Sequence, residues 1–164
     1  MPTTPTPGRP VMPADYGLQP PEGGSGLLSW EQVSRKIATS RNYWINTTRP
    51  DGRPHAMPVW GVWVRETFLF STSRASTKGR NLAHQPDLVV HLESGDDVVI
   101  LEGLAQPVDD PALLAEFVAA YDLKYNVRPD IADPKNVTLA LRLKVALAWL
   151  ESDFVGGATR WQFP

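Results

Sequence analysis

The chain contains no cysteine. That excludes a disulfide scaffold, a thiolate metal site and a cysteine nucleophile together. No run approaches the ~18 apolar residues that a spanning helix needs, so no membrane segment is expected. The N-terminus lacks a basic stretch followed by an apolar one, so it does not read as a secretory signal; the expected address is the cytoplasm. Neither sign of charge dominates: 16 Lys and Arg face 18 Asp and Glu, a net charge of −2. Such balance gives no electrostatic case for nucleic acid as a partner. Gly-x-Gly-x-x-Gly, a Walker loop and Gly-x-Ser-x-Gly are all missing, which removes the standard nucleotide and hydrolase signatures. The three histidines, His55, His84 and His91, form no i, i+4 pair with a nearby acid, and no metal site is expected.

What is present fits one globular domain. The 164 residues are 42% hydrophobic and 21% charged, enough for a substantial core. Proline and tryptophan are unevenly placed. Seven of the 16 prolines fall in residues 1–21, and no tryptophan precedes Trp30. Residues 1–26 show no apolar period and read as a Pro/Gly-rich flexible tail or a surface arm. Val11, Met12, Tyr16 and Leu18 would give such an arm some grip on a second protomer. The folded domain is expected over residues 27–164.

Within it, Ser29–Thr39 reads as a short helix. Ser29 can cap it, Gln32 stands at the capping-box position, and Trp30, Val33 and Ile37 share one face. Asn42–Thr48 and His55–Val64 read as strands joined by the Arg49-Pro50-Asp51-Gly52 turn. Pro58 and Gly61 imply an edge, a bulge or a close backbone approach. Phe68–Ser73, Asp87–Glu93 and Val98–Val108 are further strands, the last with an expected bulge at Gly103. A short helix should begin near Lys78 or Gly79. Asp110-Pro111 opens another, with Asp110 as cap and Pro111 at the first helical position. Residues 126–136 are loop. Val137–Leu150 is either helix or strand by pattern; the alternation of Leu139, Leu141, Leu143 and Val145 favours one or two strands. Ala158–Phe163 is a final extended piece. Roughly six strands at hairpin spacing, with a few short helices, suggest a small, mainly β, antiparallel barrel.

One segment has a composition suited to anion binding. Ser71–Asn81 holds Arg74, Lys78 and Arg80, five hydroxyls and a carboxamide, and it leads from a strand into a helix. Ammonium groups, hydroxyls and free N–H groups together make a phosphate cradle. The same composition also suits a solvated loop. Met57-Pro58-Val59-Trp60, one hairpin earlier, would supply an apolar wall for a planar ring. Core packing is the ordinary alternative for any one tryptophan.

The series from Asn42 to Glu93 resembles the pyridoxamine 5′-phosphate oxidase-like superfamily, the flavin and deazaflavin oxidoreductases of the split-barrel fold. Its markers are Pro-Asp-Gly-Arg-Pro, a strand with Pro-Val-Trp, Phe-x-Phe-Ser-Thr and Lys-x-x-Asn-Leu. The ending Thr159-Arg160-Trp161-Gln162-Phe163 looks like the branch that uses coenzyme F-420. The resemblance runs from about Leu27 to Phe163. It implies a six-stranded antiparallel split β-barrel and a homodimer with the cofactor in a groove between protomers. Lys78 and Asn81 would hold the cofactor phosphate, with Ser76 and Thr77 beside them. Ser71 and Thr72 would line the sugar-alcohol chain. Met57, Pro58, Val59 and Trp60 would back the ring, and Trp161 and Phe163 would close the neighbouring protomer's site.

The chain departs from the true oxidase, which carries basic residues within the strand matching His55–Val64; here none precedes Arg65. The oxidase's phosphate-reading C-terminal region is also missing. The expected function is therefore hydride transfer from reduced coenzyme F-420 to a conjugated small molecule, with no catalytic side chain singled out. An FMN-dependent oxidoreductase and a non-catalytic cofactor-binding protein are the alternatives. For haem, His55 is the sole candidate ligand.

Overall fold

The computed structural model describes residues 5–20 and 26–164. The expectations for residues 1–4 and 21–25 lie outside the described residues. Among the described residues, nine strands and four α-helices make a mainly antiparallel β fold. In chain order they are β1 (Thr6–Gly8), α1 (Trp30–Thr39), β2 (Tyr43–Thr48), β3 (Pro54–Val59), β4 (Val62–Val64), β5 (Thr67–Ser73) and α2 (Thr77–His84). Then follow β6 (Asp87–His91), β7 (Asp97–Pro107), α3 (Pro111–Tyr125), β8 (Asn136–Leu150), α4 (Phe154–Gly157) and β9 (Thr159–Gln162). The sheet runs β1-β9-β8-β7-β6-β2-β3, with β5 on the other edge of β8 and β4 on β5. No ladder joins β3 to β5, and this gap is the split.

Several local expectations hold for the reasons given. Ser29 Oγ accepts from the Gln32 N–H, and Asp110 caps α3 ahead of Pro111. The β7–β8 register shifts between Glu102 and Gly103. Residues 137–150 form one continuous strand, because their apolar side packs into the barrel interior.

The strand count exceeds six for two reasons. The segment 55–64 is not one strand; it breaks at Trp60-Gly61 into β3, which pairs with β2, and β4, which pairs with β5. A Cβ on Gly61 would lie 2.4 Å from the Phe68 ring, so only glycine lets the chain cross here. The second reason is the N-terminal arm. Thr6–Gly8 pair with Arg160–Gln162 of β9. Arg9 donates to the Ala158 carbonyl at 2.9 Å and to the Gln19 carbonyl at 2.7 Å. Residues 6–8 thus join their own chain's sheet, so this part of the segment is a surface arm, one of the two forms that the sequence allows. Prolines do not prevent this, because β1 sits at a sheet edge.

Phe68, Phe70, Ile37, Ile45, Tyr43 and Trp161 fill the barrel interior. A second core lies outside, where Phe117, Val118 and Tyr125 of α3 cover Val62 and Leu69. Each fully buried side chain of this size contributes about 1.5–3 kcal/mol.

The C-terminal end of α3 fixes the crossover. The Tyr125 hydroxyl accepts from the Gly61 N–H at 3.0 Å and lies 2.8 Å from the Gly61 carbonyl and 2.7 Å from that of Arg41. The Lys124 ammonium donates to Tyr43 Oη at 2.7 Å and to the Gly61 and Ala38 carbonyls at 3.1 and 3.4 Å. It also faces the Tyr43 and Tyr125 rings at 4.7 and 5.3 Å. Burial, then the charge of Arg41, lowers its pKa to about 8, while burial raises those of Tyr43 and Tyr125.

Two predictions follow from these contacts. A chain starting at Leu27 loses the β1–β9 ladder and both Arg9 contacts. It should be less stable by about 1–3 kcal/mol, seen as a lower thermal midpoint; an unchanged midpoint would mean that the arm only rests on the sheet. The second concerns pH. Between about 8 and the ordinary lysine value the unfolded chain binds more protons than the folded one at Lys124, so that residue makes stability rise with pH. Above ~10 the raised tyrosines act oppositely, since the folded state then holds the protons. Denaturant melts from pH 7 to 10 should show the rising component in wild type and its loss in Lys124→Met.

Candidate functional site

The break at Trp60-Gly61 leaves the inner face of β3 facing a groove instead of a partner strand. His55, Met57 and Val59 alternate onto this face, opposite the buried Thr47, Ile45 and Tyr43 of β2. The groove encloses about 390 Å³ and is lined by Asn42, Pro58, Val59, Trp60, Ser71, Lys78 and Tyr121. It gathers five of the residues expected from the sequence: Pro58, Val59, Trp60, Ser71 and Lys78. Met57 stands at its rim, 42% exposed.

Trp60 is 37% exposed. One face of its indole stacks on the Tyr125 ring, with centroids 4.6 Å apart and planes 6° from parallel. The Arg41 guanidinium carbon is 5.5 Å from the Trp60 centroid and 5.6 Å from that of Tyr125. A point equidistant from two rings so close together lies beside the stack, on neither outer face. At 37% exposure, part of the Trp60 indole remains accessible to a planar ring. Tyr121 closes the groove from α3, at 6.3 Å from Trp60.

The other end of the groove is the start of α2. Lys78 is the second residue of that helix, which starts at Thr77, one residue before the earlier of the two starts that the sequence suggests. Ser76 is the N-cap: its Oγ accepts from the Gly79 N–H at 3.0 Å and donates to the Ser73 carbonyl at 2.8 Å. The N–H groups of Thr77 and Lys78 have no acceptor among the described residues, as first-turn donors do not. Gly79 is required, since a Cβ would meet the Ser73 carbonyl at 2.3 Å. No carboxylate lines the groove. His55 faces the same side, and its buried Nδ1 has no hydrogen-bond partner. Desolvation and then the charges of Arg49 and Lys78 hold its pKa below the usual histidine value.

Four expected site residues are elsewhere engaged. Asn81 is 2% exposed and donates to Thr47 Oγ1 at 2.9 Å, tying α2 to β2. Lys78, one turn earlier on the same helix face, is half-buried and carries the charge at that seam. Thr72 is buried and lies 3.0 Å from Ser76 Oγ, within the cap. Trp161 is 1% exposed in the barrel core, its ring 5.5 Å from that of Trp30. It cannot close a neighbour's site without leaving that core. Phe163 packs on Trp30 at 5.1 Å and lines a different, larger cavity of about 610 Å³ with Trp30, Leu143 and Arg142. Thr77 stays at the start of α2, half-buried. Asn42, Tyr121 and the Arg41–Lys124–Tyr125 cluster are absent from the sequence reading. The signal available was the spacing of Tyr121, Lys124 and Tyr125 at the C-terminal end of the helix, where they fall on one face. Among the described residues no group of three His, Asp or Glu side chains gathers around a common point, and no helix is long and apolar enough to cross a membrane.

The residues fit a planar cofactor with a phosphorylated tail. The accessible part of the indole suits the ring, and Lys78 with two free N–H groups suits the anion. The partnerless His55 nitrogen adds a further polar atom on that side.

Three solved structures show the same fold. A conserved hypothetical protein from Mycobacterium tuberculosis is 24% identical, covering 75% of this chain and 85% of its own, with a TM-score of 0.65. A heme binding protein from Mycobacterium smegmatis is 21% identical over 79% of this chain and 61% of its own, TM-score 0.63. An F420 reductase is 21% identical over 68% and 94%, TM-score 0.54. No curated protein matches the chain by sequence. The family model described as pyridoxamine 5′-phosphate oxidase matches residues 29–150, well over half of the chain. The match takes in both walls of the groove, from the Trp60 crossover to the start of α2, and the chain is a member of the pyridoxamine 5′-phosphate oxidase family.

Proposed function

We propose that this protein is a deazaflavin-dependent oxidoreductase that uses reduced coenzyme F-420 to reduce a conjugated small molecule. The observation that carries this reading is the groove itself: an accessible aromatic surface at one end and an uncompensated cation with free N–H donors at the other. Lys78 and the first turn of α2 hold the phosphate by charge-assisted hydrogen bonds. Ser71 lines the stretch between, and Val59 and Trp60 back the ring. When bound, the reduced deazaflavin supplies the hydride; the chain's residues orient the ring and exclude water from one face. No side chain in the groove is a paired acid and base, and the reaction asks for none on the cofactor side. The F420 reductase of the same fold supports this choice.

An FMN-dependent oxidoreductase would use the same walls. The absence of Arg or Lys within β3 favours the deazaflavin. A haem reading has one observation behind it, the partnerless Nδ1 of His55, together with the heme binding protein of the same fold. A cofactor-binding protein without turnover would also use this groove. The family resemblance implies a dimer with the cofactor between protomers, so we place a second copy of the chain against the groove, in a cytoplasmic homodimer.

Absorbance of the purified protein separates the cofactors: flavin bands for FMN, a Soret band lost in His55→Ala for haem, and no colour but quenching of added deazaflavin fluorescence for F-420. Lys78→Ala should weaken F-420 by roughly tenfold to a hundredfold and leave the thermal midpoint unchanged. A dephosphorylated deazaflavin should bind both proteins alike. Trp60→Ala should weaken both forms, and more than Trp30→Ala does. Equal effects on the two forms from Lys78→Ala would remove the phosphate from that end of the groove.

A further inference from the structure

A second cation stands at the Trp60 end of the groove. Arg41 ends the turn between α1 and β2, next to the groove-lining Asn42. Its backbone carbonyl is anchored by the Tyr125 hydroxyl at 2.7 Å. Its guanidinium lies beside the Trp60–Tyr125 stack. It has five N–H donors, and none meets an acceptor in the hydrogen bonds or ion pairs of the described residues. Lys124, close behind it, is different: its ammonium is turned inward to Tyr43, Gly61 and Ala38.

The surroundings do not neutralise this charge. Arg41 also lines a neighbouring depression that holds Glu93 and Asp97. Asp97 pairs with Lys36 at 2.5 Å, and Glu93 accepts from the Asn42 amide at 3.5 Å. The tyrosines around the stack, Tyr43, Tyr121 and Tyr125, are held neutral by burial. Two cations therefore flank the aromatic stack with no carboxylate between them. An exposed guanidinium within 5.6 Å of two ring centroids is packed on one side and loses less conformational freedom when it captures an anion, and its planar fork matches a carboxylate.

We infer that the substrate is an anion: the molecule reduced at the Trp60 end carries a carboxylate or phosphate that Arg41 takes. This deepens the reading above and rests on it for the position of the reacting ring. Lys78 sits at the other end of the groove, on the far side of Ser71, and serves the cofactor's phosphate. Arg41 is a specificity-determining residue, since it selects the charged member of a conjugated series without touching the reacting carbon.

The test uses 3-benzoylacrylate, an aryl enone acid, and its neutral methyl ester. Both are titrated calorimetrically into the full chain and into Arg41→Gln, alone and with oxidised deazaflavin present. The chain has no thiol to trap either enone. Wild type should bind the acid roughly tenfold more tightly than the ester. Arg41→Gln should erase that preference by weakening the acid, with ester and deazaflavin affinities unchanged. Equal binding of acid and ester by wild type overturns the inference. So does an Arg41→Gln protein that keeps the preference but loses deazaflavin, which would assign the guanidinium to the cofactor's own anionic groups. If the acid preference holds and depends on Arg41 while no deazaflavin binds, the substrate inference stands and the cofactor reading falls.

Discussion

One main-chain crossing organises the molecule. At Gly61 the chain leaves the β2 side of the barrel and joins the β5 side, passing so close to Phe68 that no side chain could stand there. A crossing inside a barrel strips two peptide groups of their ladder partners, and a buried peptide group without a partner is costly. The hydroxyl of Tyr125 and the ammonium of Lys124 meet that need from outside the barrel. The groove exists because the strand ends there, and Trp60 faces it because the residue before the crossing has nowhere else to go.

The polar side chains around the groove divide into two sets. Asn81, Thr47, Thr72 and Ser76 turn toward one another and fasten α2 to the sheet. Lys78 and Arg41 point out and remain uncompensated. The first set satisfies itself and so can be buried; the second cannot be buried without an outside anion. The proposed site thus has a fastened seam with one free cation at the start of α2 and another beside Trp60, unlike ends that suit a long ligand better than a compact one.

Sequence reading succeeds here where the controlling contacts are short-range. Ser29, Asp110-Pro111 and Gly103 act within a few residues, and each does what its local chemistry implies. Failures have a common form. Whether 55–64 is one strand depends on the Phe68 ring across the barrel. Whether residues 6–8 form a strand depends on an edge offered by β9, some 150 residues on. Asn81 and Lys78 both belong to one motif, and only the position of Thr47 decides which turns inward. Trp161 reads as a residue that closes the neighbouring protomer's site, yet Trp30 and the β8–β9 ladder make it core. The cation-aromatic cluster at Arg41 and Lys124 spans three elements and has no contiguous signature.

The outermost strand beside the groove, β3, contains Pro54 and Pro58. Neither residue has an N–H, so a foreign strand laid along this edge would find gaps in the row of donors it needs. A long, exposed, partly apolar edge is ordinarily where chains begin to stack into aggregates. This protein leaves such an edge unpaired while making it a poor template for another backbone. The break at Gly61 opens the groove, and the two prolines of β3 guard its edge against fibrous association.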